Sequence, residues 1–333
     1  MIIHLKSNLS DAQIRNLAQA NASIYFKNKA GIPVLVSSSS TKELSQEIAP
    51  FVDEYFEFSD DCQLGSKNYQ ADKRSISIGE LTIGGQSRDS LLITGPCSVE
   101  NLDQIEQCAT FIKSQGLSVM RAGCYKPRTS PYSFQGMEKE GLALLDQMRA
   151  KYGLKIITEI KDGSHADEVI AVADIVQVGA KAMYDQSILR KCGKANKPVL
   201  IKRGFGTTIQ EFLQAAEFVL SGGNEEVILC ERGIRTFESK TRFTLDLCGV
   251  AHLKEYSNLP IILDPSHALG HRYGISDLAR ACLAMDIEGL LIESHPNPNE
   301  ALSDAGQQLN FNQFMRLHED LLPIAQAVNR PLV

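Results

Sequence analysis

From Ser90 to the end of the chain one alternation repeats eight times: a strand-length apolar run, then an amphipathic stretch of helical period. The runs are LLIT, LSVMRAG, KIITEI, DIVQVGA, PVLIKRG, EVILCERG, PIILDPSH and GLLIESH. Leu102–Gln115, Gly136–Tyr152, Ile209–Ser221 and Thr241–Tyr256 are among the amphipathic stretches between them. Strands apolar on both faces are covered on both faces, which points to a parallel sheet sheathed by helices. Eight β/α units in about 240 residues predict a closed (β/α)8 TIM barrel, an α/β fold, with an open doubly wound sheet as the structural alternative. No GxGxxG follows a strand and no GxxxxGK[ST] occurs, so the usual nucleotide-binding loops are missing. GFGTTIQEF, after the fifth barrel strand, is a glycine-rich turn into a helix and a candidate phosphate turn.

The first 59 residues read differently. Met1–Leu5, Ser23–Lys27, Pro33–Ser37 and Phe51–Phe58 are strand-like; Asp11–Ala20, with Ser10 as its N-cap, and Thr41–Ile48, stopped by Pro50, are helix-like. This is the βαββαβ order of a ferredoxin-like unit. It carries no cluster of His, Cys and carboxylates, so regulation or assembly fits it better than chemistry. The division expected is a ferredoxin-like regulatory domain at 1–60, a polar linker at 61–74 and a catalytic barrel at 75–333, opened by a β-hairpin over Ser75–Ile83 that breaks at Gly79-Glu80.

A net charge of −6 excludes a general nucleic-acid binder, so any phosphate recognition must rest on local basic clusters. No apolar run approaches the roughly 20 residues a membrane span needs, and MIIHLKSNLSDAQ does not read as a secretory signal; a cytoplasmic protein is expected. The eight cysteines are scattered without a CxxC, and most read as reduced, buried small hydrophobes.

Seven of the barrel strands finish on polar or charged residues: Cys97, Lys126, Glu159, Lys202, Glu231-Arg232, Asp264 with His267, and Glu293 with His295. Carboxyl ends of barrel strands are where catalytic groups collect. Cys97, His267, Glu293 and Asp304 offer a thiolate, an imidazole and two carboxylates, a mixed set suited to a divalent first-row metal. Singly, each reads more simply as a buried thiol or a satisfied core group; it is their placement on the adjacent first, seventh and eighth strands that favours a site. His295 competes with Glu293, which is preferred by its place in the strand. Arg121, Lys126, Arg128, Lys181, Lys202, Arg232 and Arg235 form a second group, a cationic ring of the kind two phosphorylated substrates need. Any one of them alone reads as a solvated surface cation.

GPCSVE, RAGCYKPRTSPYSFQG, ITEIKD, LIKRG, ILCERGIRTFE, DPSHALGHR and IESHPNPNEALSDAGQQL together resemble the 3-deoxy-D-arabino-heptulosonate-7-phosphate (DAHP) synthases, in the short class related to the octulosonate-phosphate synthases. The resemblance spans about residues 75–330. It implies condensation of phosphoenolpyruvate with erythrose 4-phosphate, the first step of the shikimate pathway to aromatic amino acids. It implies a metal (Mn, Fe, Co or Zn) on Cys97, His267, Glu293 and Asp304. Phosphoenolpyruvate contacts carry over to Arg121, Lys126, Glu159, Ala180, Lys181, Lys202 and Arg232, and aldose-phosphate contacts to Arg128, Thr129 and Asp264. Lys126 and Glu159 become the proton-transfer or water-positioning groups beside the metal ligands Cys97 and His267. Lys181 stands where relatives carry Arg, which loses a planar fork. The N-terminal unit is similar to regulatory domains shut by tyrosine or phenylalanine in homotetrameric members. Two other functions are weighed: an octulosonate-phosphate synthase, although KPRTS stands where those enzymes carry an Asn-Arg-Ser type sequence, and a non-catalytic aromatic amino acid sensor. A class II aldolase, a further idea, calls for a His-rich site instead.

Overall fold

The structure is a computed structural model and describes residues 1–128 and 130–333; the expectation for Thr129 lies outside the described residues. Strands β1 (Ile2–Leu5), β2 (Ile24–Lys27), β3 (Pro33–Val36) and β4 (Val52–Phe56), with helix α1 (Asp11–Ala20), build an antiparallel sheet in the order β2-β3-β1-β4. Ser10 and Gln13 form a capping box at the start of α1, as Ser followed three residues later by Gln suggests.

The sheet is buried on both faces. Met1, Ile3 and Leu35 face α1 through Ile14 and Ala18, while Ile2, Val34 and Val36 join the barrel's outer core. The helix expected at Thr41–Ile48 does not form; that stretch is irregular and ends in a single 3-10 turn at Ala49–Phe51. Leu44 and Ile48 give it one apolar pair, too little to hold an eight-residue helix. Local polar bonds take over: Lys42 Nζ donates to Phe58 O at 2.6 Å and Ser45 Oγ to Asn21 Oδ1 at 2.7 Å. Ile48 still fills the space under the sheet.

The stretch at 61–74 is not a solvated tether. Gln63, Leu64 and Arg74 are buried, and Arg74 donates to Asn258 Oδ1 and Leu64 O. His4 bridges Glu54 (2.7 Å) and the Tyr69 hydroxyl (2.8 Å), tying the N-terminal sheet to this segment. Barrel side chains satisfy its backbone in turn, Asn258 Nδ2 donating to Leu64 O and Ser66 O and Ser257 Oγ to Gly65 O, which composition alone does not reveal.

The hairpin β5 (Ser75–Ile78) and β6 (Leu81–Gly84) follows. The barrel then runs β7 (Leu91–Gly95), α2 (Leu102–Ser114), β8 (Val119–Arg121), α3 (Glu138–Tyr152), β9 (Lys155–Ile160), α4 (Ala166–Val172), β10 (Ile175–Val178), α5 (Gln186–Lys194) and β11 (Val199–Lys202). It continues through α6 (Ile209–Leu220), β12 (Val227–Glu231), α7 (Leu247–Tyr256), β13 (Ile261–Leu263), α8 (Pro265–Leu269), α9 (Ile275–Ala284), β14 (Gly289–Glu293) and α10 (Phe311–Ala327). The eight strands β7–β14 are parallel and close, with β7 paired to both β14 and β8. Helix α7 begins later than the pattern from Thr241 suggests, because 241–246 form a loop that pairs Thr244 with Ile234.

Leu91, Ile93, Val119, Ile157, Ile175, Leu200, Ile228, Cys230, Ile262 and Leu291 fill the barrel interior, and Ile76, Ile78 and Ile83 of the hairpin join the same cluster and plug its N-terminal end. The alternate positions, such as Leu92, Val176, Ile201 and Leu290, pack outward in the larger cluster formed with the helices. The continuous apolar strands thus serve two cores at once. Among the described residues no helix is long and apolar enough to cross a membrane.

Candidate active site and metal centre

A strand presents alternate residues to one face, so counting on by two from the last interior apolar residue reaches the barrel mouth. From Leu200 the next inward position is Lys202; from Cys230, Arg232; from Ile262, Asp264; from Leu291, Glu293; from Val119, Arg121; from Ile157, Glu159. The outward positions have other tasks. Arg203 and Glu231, one residue off this register, pair behind the wall at 2.9 Å, and Arg203 also pairs with Asp246 at 2.8 Å. Glu231, expected at the mouth, is therefore a partner of Arg203 and no part of the cleft.

Cys97, Glu293 and Asp304 bring one ligand atom each within 4.8 Å of one another. His267 Nε2 lies 3.4 Å from Glu293 Oε1 and 3.8 Å from Asp304 Oδ2. The other imidazole nitrogen is 2.7 Å from Asp264 Oδ2, and Asp264 Oδ1 also caps α8 by accepting from His267 N. A carboxylate behind a histidine fixes which ring nitrogen faces forward. Asp264 is fully buried and also holds Lys202 Nζ at 2.6 Å. Its oxygens, expected to meet the aldose, are engaged here by the backbone and imidazole of His267 and by Lys202.

The electrostatics fit a cation. Burial and the adjacent Glu293 push the Cys97 thiol up to about 12, so it needs a strong positive partner to ionise. Lys126 Nζ sits 2.9 Å from its sulfur, and Arg121 Nη1 sits 2.7 Å from Glu293 Oε1. Burial opposes ionisation of Asp304, but His267, Lys126 and Arg242 outweigh it and hold the carboxyl down to about 2. Glu293 is likewise held low by His267 and Arg121 against its burial. A soft sulfur after β7, a nitrogen on α8 after β13, and hard oxygens at the end of β14 and in the loop beyond it are a donor set that a divalent transition metal accepts.

Beside this cluster opens a cleft of roughly 600 Å³, part of it open to solvent, whose walls include Lys126, Arg128, Glu159, Ala180, Lys181, Lys202 and Arg232. His267 and Asp304 border it, so the cation-lined space and the ligand cluster adjoin. Glu159 receives Gln177 Nε2 at 2.8 Å through its Oε2. Glycine at 179 leaves room for this carboxylate, since a Cβ there would overlap Glu159 Oε1. Lys181 Nζ donates to Pro127 O at 2.8 Å and is exposed at the rim. Arg121 lies deeper than expected, bonded to Pro96 O and Glu293, and does not line the cleft. Arg235 is also off the walls, exposed on the loop beyond. His295 faces away from the ligand cluster, with Nδ1 accepting from Asn297 N and Nε2 3.4 Å from Glu100 Oε2.

Four residues that strand-end reasoning overlooks belong to the site. Gln307 Nε2 donates to Glu293 Oε2 at 2.6 Å, and its Oε1 receives Arg242 Nη1 at 3.0 Å. Arg242 and Phe205 line the cleft, and Phe243 packs against Arg232. All four lie in loops past the strands, where the period-two count no longer applies.

The model of the DAHP synthetase I family matches residues 68–329. The chain belongs to the DAHP synthetase I family. It is 43% identical over 266 residues to the phospho-2-dehydro-3-deoxyheptonate aldolase of Thermotoga maritima, covering 80% of this chain and 78% of that one. A crystal structure of that organism's phospho-2-dehydro-3-deoxyheptonate aldolase (DAHP synthase) superposes with a TM-score of 0.80 at 36% identity, covering 100% of this chain and 99% of the other. A truncated form of the Thermotoga maritima synthase covers 81% of this chain and 98% of its own, with a TM-score of 0.75 at 38% identity. The 2-dehydro-3-deoxyphosphooctonate aldolase of Syntrophotalea carbinolica is more distant, 29% identical over 75% of this chain and 95% of that one. Membership of the DAHP synthetase I family makes this chain an enzyme and accounts for its barrel.

Proposed function

We propose that the barrel mouth condenses phosphoenolpyruvate with erythrose 4-phosphate and water, giving DAHP and inorganic phosphate and opening the route to aromatic amino acids. What carries this reading is the adjacency of two features: the Cys97, His267, Glu293 and Asp304 cluster and the cleft walled by Lys126, Arg128, Lys181, Lys202 and Arg232. A divalent metal (Mn, Fe, Co or Zn) on those four side chains supplies Lewis-acid polarisation of the aldehyde oxygen when bound.

The chain's own residues do the rest. Lys202 and Arg232, deep in the cleft, hold the phosphate and carboxylate of phosphoenolpyruvate, with Lys181 at the rim. Arg128 meets the aldose phosphate, and Thr129 beside it in the sequence shares that task. Carbon C3 bonds to the aldehyde carbon, water adds to C2, and the C2–O bond to phosphate then breaks. Glu159 has Oε2 fixed by Gln177, which leaves Oε1 to orient that water and take its proton. Lys126 is buried, and its ammonium form is favoured by Cys97 and Glu159 against that burial, so it can return a proton at the aldehyde-derived oxygen. Arg121 acts indirectly, neutralising Glu293 beneath the cleft.

The N-terminal sheet is the place for an aromatic amino acid effector, tyrosine or phenylalanine, and for assembly into a homotetramer in the cytoplasm. We divide the chain into this unit at 1–60, a connecting segment at 61–74 and the catalytic barrel at 75–333. The test is consumption of phosphoenolpyruvate with erythrose 4-phosphate or arabinose 5-phosphate, after chelation and add-back of each metal, with and without tyrosine and phenylalanine. Turnover with erythrose 4-phosphate that vanishes on chelation and returns with metal is expected. Turnover with arabinose 5-phosphate alone would establish the octulosonate reading, and none with either aldose the sensor reading.

A further inference from the structure

Two arginines that directly follow the neighbouring strands β11 and β12, Arg203 facing outward and Arg232 inward, are held in opposite ways. Arg203 is an ordinary buried arginine, clasped by Glu231 and Asp246. Arg232 is as deeply buried, 3% exposed, yet its Nη1 has no hydrogen-bond partner among the described residues. Two rings take the place of carboxylates. Its Cζ lies 4.4 Å from the Phe243 ring centre and 5.1 Å from that of Phe205, and the rings themselves stack at 5.0 Å and 14°. We infer that the stacked pair Phe205–Phe243 is a positioning device that orients the Arg232 guanidinium toward an anionic group of the substrate; this rests on the reading of Arg232 as a phosphoenolpyruvate contact.

The physical case is one of competition. A carboxylate partner would fix a guanidinium but also occupy its N–H fork and repel an incoming phosphate. An aromatic face attracts the cation through its quadrupole and fixes its plane while leaving the fork open. Two other buried cleft cations illustrate the alternative: Lys202 is engaged by Asp264 and Lys126 by Cys97. The main chain that carries each ring is itself held. Phe243 N donates to Ala268 O at 2.9 Å, and Phe205 O receives Arg235 N at 2.6 Å. Gly233, directly after Arg232, has φ +96°, and a Cβ there would lie 2.7 Å from Phe243 Cβ. The backbone thus accepts a left-handed residue where the ring must approach. On the outer side, Arg242 Cζ lies 5.6 Å from the same Phe243 ring, so one aromatic borders two cleft cations.

The experiment compares Phe243→Leu, Phe205→Leu, Phe243→Tyr and Arg232→Ala in the metal-loaded full chain, reading KM for each substrate, kcat, and binding of phosphoenolpyruvate alone by calorimetry. Leucine keeps the apolar packing and removes the quadrupole; tyrosine retains it. Each leucine variant should raise KM and Kd for phosphoenolpyruvate at least about fivefold, the equivalent of about 1 kcal/mol of cation–π attraction, with KM for erythrose 4-phosphate moved less than about twofold. Phe243→Tyr should restore wild-type values. Should one leucine variant fail to fold, the other tests the same claim from the second ring. Arg232→Ala weakening phosphoenolpyruvate binding while both leucine variants leave it unchanged would overturn the positioning role and keep the substrate reading. Unchanged binding in Arg232→Ala would overturn both, and an equal rise in both KM values would mark the rings as general packing and overturn the inference.

Discussion

The two ends of this barrel handle charge in opposite ways. At the N-terminal end Glu288 and Asp286 each meet at least two cations of their own chain. Glu288 accepts from Lys73 and Arg330 at 2.8 Å each and from Ile261 N at 2.7 Å, and Asp286 pairs with Arg88 and Arg330. At the C-terminal mouth the pairing is incomplete. Arg232 Nη1 has no partner among the described residues, and a thiol and two carboxylates crowd together with an imidazole at their edge. The closed end consumes its charges in stability; the open end leaves them for ligands. That asymmetry agrees with the general division of barrels into a stabilising and a catalytic face.

Variants at the mouth should cost turnover, and variants at the base should cost stability. The largest effect is expected of Cys97→Ser: turnover should fall by more than about 100-fold, beyond what loss of an outer partner causes, and metal affinity should fall with it in equilibrium dialysis. Wild-type turnover in that variant would break the comparison at its strongest point. Asp264→Asn, which leaves the imidazole present but poorly held, should lose about 10- to 100-fold in metal affinity or activity, measured by metal titration and steady-state kinetics.

At the other end, Glu288→Ala takes the carboxylate from Lys73, leaves Arg330 with Asp286 alone, and should lower stability by about 3 kcal/mol in denaturant unfolding, with kcat/KM per folded molecule retained. Selective loss of turnover instead would erase the distinction between the ends. The smallest effect belongs to Glu217 on the flank, where burial beneath residues 63–65 raises its carboxyl to about 7, against the opposing hydrogen bond from Gly65 N. Because the folded value lies above the unfolded one, its contribution is full at pH below about 4.5 and is lost as pH rises through 7. Glu217→Gln removes this titration, so its thermal midpoint should gain on wild type between pH 5 and pH 8, by a few °C at most. A constant difference across that range would show that Glu217 does not titrate there.

The same contrast explains what could be read before folding. The barrel was legible because both faces of each strand are apolar, and that signal survives in strings such as VILC and LLI. Lys202, Arg232, Glu159 and Glu293 were legible because they continue an inward register by two residues. The count says where a side chain starts and is silent on what meets it. Asp264 and Arg121 were expected at substrate from the resemblance; the partners the count could not supply are His267 and Lys202 for one and Glu293 for the other. Phe205, Phe243, Arg242 and Gln307 sit in loops without a period, so nothing local marked them. The helix expected at 41–48 failed for the converse reason: residues of adequate propensity had only one apolar pair to anchor them. Residues 61–74 read as a tether because their composition is polar, but Arg74, Gln63 and Tyr69 find partners that are distant in sequence.

The central claim is that Cys97, His267, Glu293 and Asp304 hold one divalent cation at the open end. Titrating the metal-free protein with Co(II) while recording its absorption spectrum tests this most directly. The account predicts saturation at one equivalent per chain with a thiolate-to-cobalt charge-transfer band that is lost in Cys97→Ser. A band that persists in Cys97→Ser, or no stoichiometric binding by the wild-type chain, would contradict it.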